Sequence, residues 1–592
     1  MKHLISLFLF ISFATVLVAQ PGTLDNSFGN EGIVIGQGYT GYAYAAAIQK
    51  DGKIIAAGRG TYKTEGGILL VRYNTDGTPD PSFGEQGIVI TNLMGPIDDP
   101  YSLVLQEDGK ILVAGEIGKG FDAGVIRYLP DGTPDSSFGE NGGIFTDLGD
   151  KEYVSSMALQ PDGKIIVAGI QGTRKAFTVR YLPDGSLDES YGNGGNVITT
   201  MQYASSINCI TVQPNGKIII AGSFDLQGYA RMLLIRNTSS GSLDREFGGD
   251  GIVILSFVSG FKMDDLHSIV LQPDGKILIA GSSFEQYDVF MSLARFESDG
   301  SLDFLFGNEG KVLTDFKTKI SYGNSVLIQP DGKIVASGFA SLDYSERYSD
   351  FALARYQANG ILDSSFGKNG LQITDYGSDG IYANASVLQE DGKIVLVGYN
   401  NTTVVLARYN GGDAILPITY NHFTAEQNQQ TIALSWQTAT EQNNRYFAIE
   451  RSSNAVNYAA IAQVNSAGTG ATVHQYSYTD KLPVPGANYY RLKQTDADGR
   501  YSYSKVVSIN YLKSGTILLL PNPAKDQLTV KGLNAANTST VSLLDQQGKL
   551  LKQFTVKQST AYSFSINHLA AGSYIVRVKD NNGVATQKFV KQ

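Results

Sequence analysis

Apolar residues along this chain come in short runs, broken at regular intervals by Gly, Asp, Pro and Asn. Runs of roughly four to eight residues, rich in β-branched side chains and bounded by turn residues, predict strands rather than helices. A representative stretch contains "GIFTDL", "SSMALQ", "KIIVAG" and "AFTVRY". Pro-Asp-Gly between the second and third runs predicts a tight hairpin: Pro fixes φ, Asp caps its own turn, and Gly accepts the left-handed conformation. "PDGSLDESYG" predicts a longer turn before the next unit.

The pattern repeats. "LQPDGKIIVAG" at 159–169 has six near-copies, and the Lys of the turn falls at 53, 110, 164, 217, 276, 333 and 393, a period of 53 to 60. A second motif, of the form "LDSSFG", places Asp at 25, 80, 135, 188, 244, 303 and 363. A third is an Arg closing an apolar run, at 72, 127, 180, 236, 295, 355 and 408. Four antiparallel strands repeated seven times describe a β-propeller. The expected fold class is all-β: a seven-bladed propeller over 20–412, then a β-sandwich over 413–512 and a small C-terminal β-domain over 513–592.

Six times the repeat Arg precedes the repeat Asp by eight residues, as Arg72 precedes Asp80. That spacing across a turn predicts a charge-assisted hydrogen bond in each unit. Asp25 and Arg408 are left without such a partner. Both are accommodated if "GIVI", 32–35, completes the seventh blade beside 404–409, hiding an open sheet edge and bringing Asp25 to Arg408.

The string "QPDGKIxxxG…RY…DGxLDxSFG" resembles the delta-60 repeat of secreted bacterial proteins, a resemblance that implies a propeller but no activity. Asn215 and Asn237, in the fourth unit, depart mildly from it. The segment around "TIALSWQT", with the only tryptophan, Trp436, and "NYYRLKQTDADGRYSYSK" resembles a fibronectin-III-like module. Pro521-Asn522-Pro523, "LAAGSY" at 569–574 and the basic tail of Lys588 and Lys591 resemble the type A sorting domain of the type IX secretion system. That implies recognition by the secretion machinery, passage across the outer membrane, and removal of the domain with release or surface anchoring. The apolar run Leu4 to Val18, before Ala19 and Gln20, predicts a cleaved signal peptide over 1–19. No transmembrane segment is expected, because no other run is long and apolar enough.

Composition narrows the function. A net charge of −9 argues against a nucleic-acid partner, which needs a basic face. One cysteine, Cys209, allows no internal disulfide, and five histidines form no cluster with metal-ligand spacing. No metal or cofactor is expected. A Ser-His-Asp triad would have to use His267, the one histidine of the propeller segment. Paired carboxylates remain open at Asp98-Asp99 and Asp264-Asp265.

Within a blade, the uniform turns fall on one end and the variable connections on the other. The interval from the repeat Gly to the repeat Arg is shortest at 398–408 and longest at 338–355, where it carries Tyr344, Arg347 and Tyr348. Variable loops on a rigid scaffold are where recognition usually sits. Nine residues before each repeat Lys stand Tyr44, Tyr101, Ser155, Asn208, His267, Asn324 and Asn384, a set able to form a polar ring at the channel mouth. The leading expectation is a non-enzymatic secreted or surface binding protein whose variable face, with Tyr344, Tyr348 and this ring, recognises a glycan or protein. The alternatives are an extracellular polysaccharide hydrolase or lyase, and a structural or adhesive spacer.

Overall fold

The computed structural model describes residues 20–592 except 93–98, 118–121, 204, 227–228, 258–262, 286, 345–346, 378–379, 413–419, 429, 439–443, 456–457, 468–472, 497–500, 512–516 and 581–582. The leader expected at 1–19 and Asp98 lie outside the described residues. Among those residues the chain is all strand and turn, and it divides into two units, 1–415 and 416–592.

The first unit holds seven four-stranded antiparallel blades among the described residues. Blade 1 runs through Tyr39–Ile48, Ile54–Tyr62, Glu65–Tyr73 and Ile88–Thr91 from the centre outward. The inner strands of blades 2 to 7 are Asp99–Leu105, Glu152–Leu159, Ser205–Val212, Asp264–Leu271, Ile320–Ile328 and Tyr382–Leu388. Each packs against the inner strands before and after it, and the last packs against the first, which closes the ring. The second and third strands of the blades are buried on both faces along the apolar runs, as in Ile165–Gln171 and Lys175–Tyr181, which explains why those runs are unbroken. A single parallel bridge, Val289 to Ile320, links blades 5 and 6.

Blade 7 has its inner three strands from 382–409 and its outer strand, Ile33–Ile35, from the other end of the chain. The register is Ile33 to Ala407, Val34 to Leu406 and Ile35 to Val405. The chain ends meet inside one turn. Gly22 N–H donates to Asn410 O at 2.7 Å and Asn410 N–H to Thr23 O at 2.9 Å, as Gly77 and Asn74 do with Asn74 and Thr78 in blade 1. Pro21-Gly22 thus takes the place of the pair that the other blades carry in sequence, Asp-Gly in four of them, Ser240-Gly241 in blade 4 and Asn359-Gly360 in blade 6.

Beneath the uniform turns lies a buried polar assembly, made seven times. Each repeat Arg donates Nε–H to the repeat Asp at 2.7–2.9 Å, including Arg408 to Asp25 at 2.8 Å. Both members of every pair are at most 8% exposed. The guanidinium stacks on the repeat aromatic at 4.3–4.6 Å, as Arg127 does on Phe138 and Arg355 on Phe366. Its remaining N–H groups reach the neighbouring blade, as Arg127 reaches Pro183 O at 2.7 Å. The turn Lys approaches the same Asp at 2.8–3.7 Å. Burial opposes ionisation of Asp25, but Lys393, Ser27 and Arg408 outweigh it and bring its pKa down to about 2. The other six Asp carboxyls are held low in the same way. The repeated letters therefore specify a desolvated ion network that couples blade to blade.

The second unit contains two bodies. In one, the sheet of Tyr420–Asn428, Thr431–Thr438 and His474–Asp480 faces a sheet built on Asn444–Ser452 and Gly486–Asp496. Trp436 is fully buried between them, against Phe447 and Tyr476. This two-sheet sandwich is what the fibronectin-III-like resemblance implies. In the other, three- and four-stranded sheets from 518–591 enclose a core that includes Leu528, Val541, Phe564 and Phe589.

Candidate binding site at the channel mouth

All seven positions picked out from the sequence as a polar ring share one backbone feature. Every inner strand carries a single extra residue at the same place: Tyr44, Tyr101, Ser155, Asn208, His267, Asn324 and Asn384 each sit in a β-bulge. A bulge leaves one residue out of the ladder and re-aims its side chain. It also explains the Gly that closes each repeated eleven-letter stretch. The carbonyl two residues before the bulge presses on that Gly, so a Cβ on Gly58 would lie 1.7 Å from Tyr42 O and one on Gly169 2.0 Å from Tyr153 O. Only Gly allows this approach.

The seven bulge residues do not act alike. Asn208 Nδ2 donates to Leu266 O at 2.6 Å, Asn324 Nδ2 to Ala383 O at 2.9 Å and Asn384 Nδ2 to Ala43 O at 2.8 Å. Each acceptor precedes the bulge residue of the next blade. These three amides are staples between inner strands. His267 is half-buried, and its Nε2 has no protein partner. Burial lowers its pKa against the opposing charge of Asp265, so the imidazole is neutral at pH 7. Tyr44 and Tyr101 are the bulge residues that touch, with ring centroids 5.4 Å apart.

Beside each bulge, toward the variable end, two side chains stand opposite each other on the first and second strands. In blades 1 to 7 these pairs are Tyr42 and Arg59, Asp99 and Glu116, Tyr153 and Ile170, Ser206 and Ser223, Asp265 and Ser282, Tyr322 and Phe339, and Tyr382 and Tyr399. Around half the ring they form a continuous aromatic arc. Phe284 meets Tyr322 at 6.2 Å, Tyr322 meets Phe339 at 4.8 Å, Phe339 meets Tyr382 at 5.1 Å and Tyr382 meets Tyr399 at 5.3 Å. Tyr399 then meets Tyr42 at 4.8 Å and Tyr44 at 6.4 Å, and Tyr44 leads on to Tyr101.

The arc ends in a polar corner. Arg59 Nη1 lies 3.7 Å from Asp99 Oδ1, and Glu116 stands across the ladder from Asp99. Burial, and then the charge of Asp99, raises the Glu116 carboxyl above the usual range. Burial, with the nearby Asp99 and Tyr399, pushes the Tyr44 phenol up to about 12, and Tyr101 is raised by burial with Glu116 and Asp99. Both phenols are therefore donors at neutral pH. The sequence reading missed Tyr42, Tyr382, Tyr399, Glu116 and Arg59. Comparing the seven residues that follow the repeat Gly finds three of them: Arg59, Glu116 and Tyr399.

Of the variable-loop residues, Tyr344 is 54% exposed and donates its hydroxyl to Asp288 at 2.8 Å beneath Lys319. Tyr348 is 49% exposed beside Arg347. Of the expected carboxylate pairs, Asp264 is buried and accepts from Phe257 N–H at 3.1 Å, while Asp265 accepts from Ser223 Oγ at 3.1 Å. A groove of about 700 Å³ with Tyr39, Tyr73 and Tyr376 in its wall follows the seam of blades 7 and 1 and is separate from this corner.

Known proteins place these elements in context. A β-propeller family described as a domain of unknown function, DUF5122, matches residues 49–83, 106–138, 160–191, 213–247, 272–306 and 329–366. Each match begins at the repeat Gln and ends at the repeat aromatic; the corresponding parts of blade 7 lie at opposite ends of the chain. A WD domain, G-beta repeat, matches 195–227, and a secretion system C-terminal sorting domain matches 518–592. No curated protein matches the chain. Among solved structures, dimeric latent PorU from Porphyromonas gingivalis is 13% identical, covering 55% of this chain and 32% of its own, with a TM-score of 0.13. The CbhA fibronectin(III)-like modules of Clostridium thermocellum are 14% identical over 29% of this chain and 93% of theirs, at 0.12. Chicken CNTN1 FN1-FN3 domains are 10% identical over 45% of this chain and 96% of theirs, at 0.15. The chain spans about a third of PorU, and at these TM-scores the likenesses carry no argument. The chain carries DUF5122 propeller repeats and a type IX sorting domain, which makes it a secreted or surface-attached protein delivered by that machinery.

Proposed function

We propose that the propeller is a binding module whose channel mouth takes an extracellular glycan. The continuous run of rings from Phe284 to Tyr101 carries this reading. Aromatic faces offer area at little entropic cost, and Tyr adds a hydroxyl at the rim. The arc supplies a stacking platform; Arg59, Asp99 and Glu116 supply the few convergent polar groups that fix orientation. In this reading 1–19 is the leader, 20–412 the binding propeller, 413–512 a spacer sandwich and 513–592 the address. Tyr344 and Tyr348 extend the surface, and a protein ligand is the alternative occupant.

The test is a glycan and peptide array probed with mature protein, followed by titration of the best ligand against Tyr382→Ala and Tyr399→Ala. Both variants should lose at least about tenfold in affinity. Unchanged affinity would move the site off the mouth.

One observation favours a second reading. Glu116 is held toward its protonated form next to Asp99, the arrangement a general acid needs in a polysaccharide hydrolase or lyase. Release of reducing ends, or of unsaturated products, from an array-positive polysaccharide would favour it, with Glu116→Gln inactive but still binding.

A further inference from the structure

Three carboxylates meet at the variable end between blades 2 and 3, away from the aromatic arc. Asp122 directly precedes the third strand of blade 2, Ala123–Tyr128, and Asp147 directly follows its outer strand, Gly143–Thr146. Ala123 pairs with Thr146, so the two acids sit side by side just past the ladder. Glu152 opens the inner strand of blade 3. One carboxylate oxygen from each of the three lies within 4.8 Å of the others.

Glu152 distinguishes this cluster from an ordinary acidic surface. It is 0% exposed. Its Oε1 accepts from Gln171 Nε2 at 3.1 Å and from Asp150 N–H at 3.3 Å, the Leu148 N–H also favours the carboxylate, and Oε2 is buried and makes no hydrogen bond. Gln171 is itself 2% exposed and also donates to Leu148 O at 2.6 Å, so it is fixed from two sides and aims the carboxylate. A buried carboxylate oxygen without a donor is costly, and two further acids beside it raise the cost. A divalent cation reverses both terms.

Blade 6 is an internal control. Asp350 and Asp375 occupy the places of Asp122 and Asp147, next to the pair Phe351 and Thr374. Asp350 Oδ1 there accepts from Tyr376 N–H at 3.2 Å, and Ile381, buried, stands three residues before the bulge where blade 3 has Glu152. Asp264 holds the same place before the bulge of blade 5 and is likewise buried with one unpartnered oxygen, but there Arg231 and Ser256, just past the pair Met232 and Leu255, stand where blade 2 has Asp122 and Asp147. Among the described residues the three carboxylates meet at one junction.

We propose that Asp122, Asp147 and Glu152 bind a calcium ion. The donor set is all carboxylate oxygen, which selects a hard cation, and calcium accepts irregular geometry completed by water. Extracellular calcium modules bind at about 10⁻⁴–10⁻³ M, and that range is expected here.

The test is calorimetric titration of calcium chloride into chelator-treated mature protein. Wild type should bind in that range. Glu152→Gln and Asp147→Asn should each weaken binding at least about tenfold, while Asp350→Asn should leave it unchanged. In chelator, Glu152→Gln should melt no lower than wild type, because it removes a buried charge. Asp147 is exposed, so its variant keeps the test valid if Glu152→Gln fails to fold. Absence of binding by wild type, or binding that Asp147→Asn leaves intact, overturns the site; magnesium binding that calcium does not displace overturns the choice of ion.

Discussion

The two ends of the propeller treat their buried acids in opposite directions. Under the uniform turns, all seven repeat Asp carboxyls are held low by Arg, Lys and the N–H two residues on, with a Ser hydroxyl added in five of them. At the variable end, Glu116, Asp122, Glu152 and Asp350 are raised, by burial first and neighbouring acids second, whereas Asp315, which has Lys317 beside it, is lowered. One end spends its charges on coupling the blades; the other keeps charge short of partners, as binding surfaces do. The ring thus carries seven copies of a structural device and one copy of each feature proposed to bind.

The largest effect should come from breaking the uniform end. Arg355→Ala leaves Asp363 buried without its main partner and should cost about 3–5 kcal/mol in denaturant unfolding of the mature chain. Gly169→Ala, at the hinge between the two ends, forces a Cβ into Tyr153 O and should cost about 2–4 kcal/mol. A loss under about 0.5 kcal/mol would mean that the bulge yields cheaply. Next comes pH. The repeat Asp groups have folded pKa values below their unfolded values, so their contribution is present above about pH 4 and is lost as pH falls toward 2. The raised acids have the opposite sign: their burial costs stability once pH rises past their unfolded values. Tm should therefore fall steeply below pH 4, and Glu152→Gln should flatten any decline above pH 5 measured in chelator. Smallest is the mouth itself. Tyr399→Ala should shift stability by about 1–2 kcal/mol at most, far less than Arg355→Ala, while removing ligand binding. If the order of Tyr399 and Arg355 reversed, the division of labour between the ends would be wrong.

Much of the frame was legible because turns and pair spacings are local. Arg72 and Asp80 are eight residues apart in every contiguous copy, and the unmatched Asp25 and Arg408 point to a strand shared between the chain ends. The mouth was less legible because it depends on register. Tyr44 and Asn208 occupy equivalent positions, yet one ring stacks on its neighbour while the other amide closes a staple. Neither the bulge nor the pairing of Asp99 with Glu116 follows from a motif. Asp122, Asp147 and Glu152 come from two connections and match no metal-ligand spacing, so a search for local clusters passes over them.

The shared seventh blade also sets a folding order. Six of the Arg–Asp contacts close a loop of eight residues, whereas Arg408 and Asp25 are 383 apart. By logarithmic loop scaling the same bond costs about 3 kcal/mol more in chain entropy there. Ile33–Ile35 and the turn at Pro21-Gly22 add the strand and backbone bonds that offset this cost. The closing strand is then a latch, the last contact to form and the first to open. Hydrogen exchange at Val405 to Ala407 should run ahead of the equivalent third strands of blades 2 to 5, marking the seam at which a newly exported ring is still a horseshoe.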